Sequence, residues 1–200
     1  MKIAFDAKRV FSNSTGLGNY SRSLVRGVQK YCKKCDLYLM TPSTYDHSDT
    51  NLSAPAYNII QGNGRPLWRY SQMVNDLRKI EPDLYHGLSN ELPRGIDKLI
   101  GVKKIVTIHD LIFMRYPQFY PWLDRLFYRE KFLRACKVAD HIIAVSESTK
   151  QDIVDYFHIN HQKISVVYQS CSEIFYQQDP ELVEKQNYIL VVGSITERKN

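Results

Sequence analysis

The sequence predicts an α/β protein built on a doubly wound parallel sheet, and three observations carry that expectation. Short apolar runs alternate with longer stretches of helical periodicity along the 200 residues, the pattern of repeated β-α-β units. The most strand-like run, Lys103 to Ile108, has Ile105, Val106 and Ile108 and is followed at once by His109-Asp110. Other runs end in a similar way: Lys2 to Asp6, Asp83 to Gly87 with His86 near its end, and Asp140 to Val145 with Ser146 next. Ligands of open parallel sheets gather beyond the carboxyl ends of the strands. Asp6, His86, His109 and Ser146 are therefore expected to converge on one cleft, although a lone strand-end histidine can equally be a satisfied core residue.

The elements follow in order. After the first strand, Lys2 to Asp6, a loop holds Ser12 to Gly18. A helix comes next, with Tyr20, Leu24, Val28 and Tyr31 on one stripe and Arg22, Arg26 and Lys30 on another. A strand, a glycine loop and a helix start suit phosphate, because free N–H groups and the helix dipole face the ligand. Gly16-Leu17-Gly18 is not a dinucleotide fingerprint, since Ser21 stands where the third glycine would. Strands are expected at Asp36 to Met40 and Tyr57 to Gln61, around a polar loop at 41–55. A helix with Leu67, Tyr70, Met73, Val74, Leu77 and Ile80 on its apolar face follows, ended by Pro82. Past His109 comes an aromatic, proline-rich loop, then a helix from Pro121 to Ala139 with Trp122, Leu126, Leu133 and Cys136 on one stripe. Ser148 and Gln151 fit a capping box for the next helix. Strands at Lys163 to Tyr168 and Tyr188 to Val192 flank an irregular acidic segment that reads as a linker.

Composition narrows the function. Hydrophobic residues at 44% and charged residues at 24% are ordinary for a soluble globular chain. A net charge of +6 favours anionic partners only modestly. No apolar run approaches the roughly 20 residues of a membrane span, and Met1 to Asp6 reads as a strand rather than a secretion signal, so a cytoplasmic location is expected. Cys32 and Cys35 have C-x-x-C spacing without a second matched pair for zinc. They fall at a helix C-terminus, where the dipole opposes thiolate, and no metal site is expected. No nucleic-acid reading motif is present.

The combination Ile105 to Phe113, Ala139 to Thr149, Ile164 to Tyr168, and Tyr188 to Gly193 with Glu197-Arg198-Lys199-Asn200 resembles glycosyltransferase family 4, in order and spacing. The likeness runs from the Gly16 to Tyr20 loop to the last residue and is similar to bacterial mannosyltransferases of surface-polysaccharide assembly. It implies a GT-B fold of two Rossmann-like domains, with acceptor held mainly by the first and sugar nucleotide by the second. Residues 1–180 would be the first domain, and 181–200 a linker and the first strand of a donor domain that the sequence leaves incomplete. The implied reaction is transfer of a hexose, mannose by the resemblance, from a nucleotide-diphosphate sugar with retention of configuration. No cofactor is expected beyond that co-substrate, and the chain alone is expected to be inactive because it lacks most of the donor site.

By the same resemblance His109 and Asp110 are the candidate catalytic residues. His86, Ser146, Asn19 and Tyr20 are candidates for the acceptor cleft, and Gly16, Gly18, Arg198 and Lys199 for donor phosphates. Ser194 stands where some relatives place a second diphosphate-binding arginine. The competing reading is a non-catalytic module that binds an acceptor or a membrane surface. Arg125, Arg129, Lys131, Arg134 and Lys137 outnumber the acids on their helix, which is either an ordinary solvated face or a contact with the inner face of an anionic membrane.

Overall fold

The structure is a computed structural model and describes residues 1–43, 57–62, 64–65 and 67–171, with Asn187 and Ile189 in addition. Its elements are β1 (Lys2–Asp6), α1 (Lys8–Ser12), α2 (Gly16–Tyr31), β2 (Asp36–Thr41), β3 (Asn58–Gln61), α3 (Met73–Ile80) and β4 (Leu84–Gly87). There follow β5 (Lys103–Ile108), α4 (Ile112–Arg115), α5 (Trp122–Val138), β6 (His141–Ala144), α6 (Glu147–Phe157) and β7 (Ile164–Val166). All seven strands are parallel, in the order β3-β2-β1-β4-β5-β6-β7. Successive strands add outward from β1 on one side and from β4 on the other, so the winding reverses between β1 and β4. This is the doubly wound sheet that the alternating pattern predicts, and its topological switch point is where such folds open a ligand crevice.

The central strands β1, β2 and β4 are buried on both faces, and the period of two divides the core. Ile3, Phe5, Leu37 and Leu39 face a cluster with Val10, Phe11 and Val25 from α1 and α2. Ala4, Met40, Tyr85, Val106 and Ile108 face the larger cluster with Met73, Val74 and Leu77 of α3 and Ala135 and Cys136 of α5. Each fully buried large apolar side chain contributes about 1.5–3 kcal/mol, so the paired faces fix the sheet's register.

Four local expectations need correction. Lys8–Ser12 is helical rather than loop, and α2 already begins at Gly16. Asn13 explains the early start: its side-chain oxygen accepts from the N–H groups of Thr15 and Gly18, both at 3.0 Å, and does the work of a cap. A Cβ on Gly18 would lie 1.8 Å from the Asn13 carbonyl oxygen, so only glycine fits there. The helix expected from Leu67 opens with a wider i→i+5 turn over Trp68–Gln72, in which the Met73 N–H reaches the Trp68 carbonyl. The extra residue turns Trp68 into the core and leaves Leu67 exposed. In α6 the cap is Ser146, whose hydroxyl accepts from Thr149 N–H at 3.1 Å, rather than Ser148. Finally, Trp122 and Leu126 do not lie against the core with Leu133 and Cys136, being 65% and 57% exposed.

Cys32 and Cys35 form a disulfide at the end of α2, with Cα atoms 5.5 Å apart. Burial pushes the Cys136 thiol up to about 12, so it is a packing residue and not a nucleophile. Most of the 41–55 loop, of the acidic linker and of the strand expected at Tyr188 to Val192 lies outside the described residues, as do Ser194, Arg198, Lys199 and the boundary near residue 180.

Candidate active site at the switch point

The crevice between β1 and β4 is lined by charge. Asp6, the last residue of β1, receives Arg69 from the turn before α3: Nε lies 2.9 Å from Oδ2 and 3.1 Å from Oδ1, and Nη2 is 2.6 Å from Oδ2. A guanidinium presents this fork to a carboxylate more rigidly than lysine could. Arg69 also pairs with Glu91, from the loop after β4, and its Nη2 lies 3.3 Å from the Ser89 hydroxyl. Glu91 in turn pairs with Lys131 of α5. Asp6, Lys8, Arg69, Glu91 and Lys131 line an open cavity of about 300 Å³. Burial works against the charge on Arg69, but the Asp6 carboxylate outweighs it and the guanidinium is held above its ordinary value. Burial, reinforced by Arg69, pushes the Lys131 ammonium down to about 8.

His109 follows β5, the strand next to β4. Its Nε2 is 2.9 Å from the Leu88 carbonyl, which can only accept, so Nε2 carries the proton. That leaves Nδ1 as an acceptor, and the Gln169 side-chain amide nitrogen lies 3.2 Å from it. The Tyr20 ring meets the imidazole edge-on, with centroids 4.8 Å apart and planes at 88°. Burial lowers the His109 pKa, so the ring is neutral at pH 7 and can donate and accept at once. The peptide is clamped as well: His109 N–H donates to Asn90 Oδ1 at 2.8 Å, and its carbonyl accepts from the Thr149 hydroxyl at 3.0 Å. Asn90 holds its position from a left-handed turn at φ 62°.

The structure brings Tyr20, His86 and His109 together and separates the other candidates. The hydroxyls of Tyr20 and Thr107 are 2.9 Å apart, and His86 Nε2 lies 2.9 Å from the same Thr107 oxygen. His86 is therefore beneath the crevice rather than lining it, at 5% exposure. Ser146 spends its hydroxyl on the α6 cap and on Thr149, 3.0 Å away. Asp110 is exposed and accepts from Ile112 N–H at 3.2 Å, shaping the start of α4. Asn19 is exposed and accepts from Arg22 at 2.6 Å. Gly18 N–H is already engaged by Asn13, so of the two glycines only Gly16, at the first position of α2, keeps the free helix-start geometry expected for phosphate. Arg69, Glu91, Lys131 and Lys8 have no part in the sequence expectation for this site, because they come from separate elements with no shared short motif. The usable signal was Asp6, a carboxylate ending the first strand that requires a partner once buried.

Burial alone drives the His86 pKa down to about 3 from 6.5. The unfolded chain binds this proton below pH 6.5 and the folded chain does not until about 3, so stability present above 6.5 is lost as pH falls through that window. Each pH unit within it costs up to about 1.4 kcal/mol. His86→Gln, which keeps a group able to meet Thr107, is expected to flatten the fall of the urea midpoint between pH 6.5 and 4.5 relative to the parent. Parallel profiles for the two proteins would show that another group governs acid unfolding.

A parallel doubly wound sheet whose ligand crevice opens at the switch point is a Rossmann-like architecture. The chain belongs to Glycosyltransferase Family 4, whose model matches residues 14–170. It is 24% identical over 225 aligned residues to O-antigen chain mannosyltransferase B of Escherichia coli, covering 100% of this chain and 58% of that protein. It is 30% identical over 95 residues to O-antigen chain mannosyltransferase RfbU of Salmonella typhimurium, covering 48% of this chain and 26% of that one. Among solved structures it is similar to Anabaena Alr3699/HepE in complex with UDP and glucose, with TM-score 0.59, 13% identity, and coverage of 90% of this chain and 47% of that one. A glycosyltransferase from Rickettsia africae matches with TM-score 0.54, 14% identity, and coverage of 90% and 46%. The structural likenesses establish the fold. The chain spans about half the length of the proteins it matches most fully.

Proposed function

We propose that this chain is the acceptor-binding half of a retaining hexosyltransferase that moves mannose from a nucleotide-diphosphate sugar to a saccharide or lipid-linked acceptor during cell-surface polysaccharide synthesis. The observation that carries this reading is the ion-paired crevice at the β1/β4 switch point in a chain of Glycosyltransferase Family 4. Carboxylates and a guanidinium around an open cavity supply the donors and acceptors that sugar hydroxyls need. The neutral His109, held through Nε2 by the Leu88 carbonyl, would offer Nδ1 to the reacting sugar in place of the Gln169 amide. In this reading residues 1–180 form the acceptor domain and 181–200 lead into a donor domain. Arg198 and Lys199 there would offset charge developing on the leaving diphosphate.

Binding to the 200-residue chain tests the division of labour. A mannose-terminated oligosaccharide should bind at least about ten times more tightly than a nucleotide-diphosphate mannose, a difference of about 1.4 kcal/mol. Tighter binding of the nucleotide sugar would assign this half to the donor instead.

The reading extends to cytoplasmic location with peripheral contact at the inner face of a membrane. Among the described residues no helix is long and apolar enough to cross one. Support for surface contact comes from the first two turns of α5, where Trp122, Leu123, Leu126 and Phe127 are all exposed. The basic residues contribute less than their number suggests, because Lys131 pairs with Glu91 and Arg134 donates to the Leu92 carbonyl. Sedimentation with anionic and neutral vesicles should therefore depend on Trp122→Ser more than on Arg129→Gln; the reverse order, or no vesicle binding, would remove the contact.

A further inference from the structure

The acceptor nitrogen of His109 is already taken. Nδ1 of a neutral imidazole has one in-plane lone pair, so it accepts one hydrogen bond at a time. With Nε2 donating to the Leu88 carbonyl, the partner at Nδ1 must donate, and the group that faces it at 3.2 Å is the Gln169 side-chain amide. Little of the ring is open elsewhere, because Tyr20 packs against it and the residue is 9% exposed. A sugar hydroxyl can therefore reach Nδ1 only where the amide now stands.

Gln169 lies outside the sheet. β7 ends at Val166, and Val167 N–H makes a last bond to the Ala144 carbonyl of β6 at 2.9 Å. Val167 and Tyr168 then turn outward, 47% and 70% exposed. The Gln169 side chain instead reaches back past the end of β6 to a residue that follows β5. Two strand spacings, about 9.5 Å, separate β7 from β5, so this contact ties the chain leaving the domain to a strand two places away. Its 3.2 Å is at the long end of the N–H range, against 2.9 Å from Nε2 to Leu88, and the exposed glutamine can turn its amide to water on release.

We propose that Gln169 is a positioning residue of the transfer reaction: it holds His109 in its acceptor form while no sugar is bound, and it gives up Nδ1 when a sugar hydroxyl arrives, which frees the segment after β7. The proposal rests on the reading of His109 as the histidine that meets the reacting sugar. Because the two donors exclude each other, the coupling is reciprocal, and whatever loosens Gln169 tightens the sugar. In sequence Gln169 stands between β7 and residues 181–200, so the exchange links sugar binding to the chain that leads toward the donor half.

Turnover is measured on the protein encoded by the whole reading frame, with nucleotide-diphosphate mannose and a lipid-linked saccharide. The His109 ring is followed by NMR on the 200-residue chain carrying isotope-labelled histidine. Gln169→Leu removes the competing donor and is expected to lower KM for the sugar nucleotide about two- to tenfold, the factor an ordinary neutral hydrogen bond is worth, with the gain in kcat/KM carried by KM. Gln169→Glu puts an acceptor where a donor stood. In the parent, burial and Arg9 keep the ring neutral against the pull of Asp110; the new carboxylate should draw a proton onto Nδ1, seen as a charged ring at pH 7, and lower kcat at least about tenfold. Melting temperatures are measured alongside, and should Gln169→Glu unfold, Gln169→Leu decides the matter. An unchanged KM in Gln169→Leu, or a fall in kcat there with KM held, would overturn the proposal, as would a ring that stays neutral in a folded Gln169→Glu. Full turnover in His109→Gln would overturn the histidine reading and the proposal together, whereas lost turnover in His109→Gln beside an inert Gln169→Leu strikes the proposal alone.

Discussion

Arg69→Met is expected to destabilise the fold by about 3–5 kcal/mol, the range for removing one partner of a buried ion pair. Asp6 has only 3% of its side chain exposed and Glu91 15%, so both carboxylates would stay desolvated after the guanidinium is gone. The loss should be largely recovered in the double variant Arg69→Met with Asp6→Asn, because the cost comes from the stranded charge rather than from missing attraction. Urea unfolding of the two single variants and the double variant measures this directly. Additive losses would mean that Arg69 and Asp6 stabilise the protein independently. A protein that keeps this arrangement despite its weak net contribution has a reason to hold charges at the switch point, and ligand recognition supplies one.

His109→Gln is expected to lower turnover about 100-fold or more, the range for losing a well-placed transition-state hydrogen bond or acid–base group. Alanine is the poorer choice. The imidazole is buried against Tyr20 and donates to the Leu88 carbonyl, so its removal would orphan that oxygen and cost about 1–3 kcal/mol whatever its role. Glutamine can keep the bond to Leu88 while losing the ring and its Nδ1. Turnover is compared per folded molecule, with melting temperature measured alongside. Normal turnover in the folded fraction would make His109 a structural residue that fixes the Leu88 loop.

The sheet was legible because its signal is periodic and local: β-branched runs such as Lys103 to Ile108 read as strands buried on both faces, and alternation with helices forces parallel pairing. Strand ends were legible for the same reason, although the pairing of β4 with β5 sets His86 beside Ile105, and only Thr107 and Tyr20 link it to His109. The ion-paired crevice was not, because Asp6, Arg69, Glu91 and Lys131 meet only after four elements pack. Arg69 sits in a segment that reads as an amphipathic helix, and the i→i+5 turn that rotates Trp68 inward has no sequence signature. Periodicity places Trp122 and Leu126 on one stripe but cannot say whether a neighbour covers it; here the helix outruns the core. Lys131 and Arg134 were counted as surface charge by composition, whereas Glu91 and the Leu92 carbonyl draw them inward. Gly16 and Gly18 suggested an open loop, and Asn13 turned it into a helix start.

The central claim is that this chain forms the acceptor half of a hexosyltransferase, and sugar transfer itself tests it most directly. The protein encoded by the whole reading frame containing these 200 residues is incubated with labelled nucleotide-diphosphate mannose and a lipid-linked saccharide. Labelled product is expected with the parent, and at least about 100-fold less per folded molecule with His109→Gln. No transfer from any nucleotide-diphosphate hexose, or transfer that the substitution leaves unchanged, would contradict it.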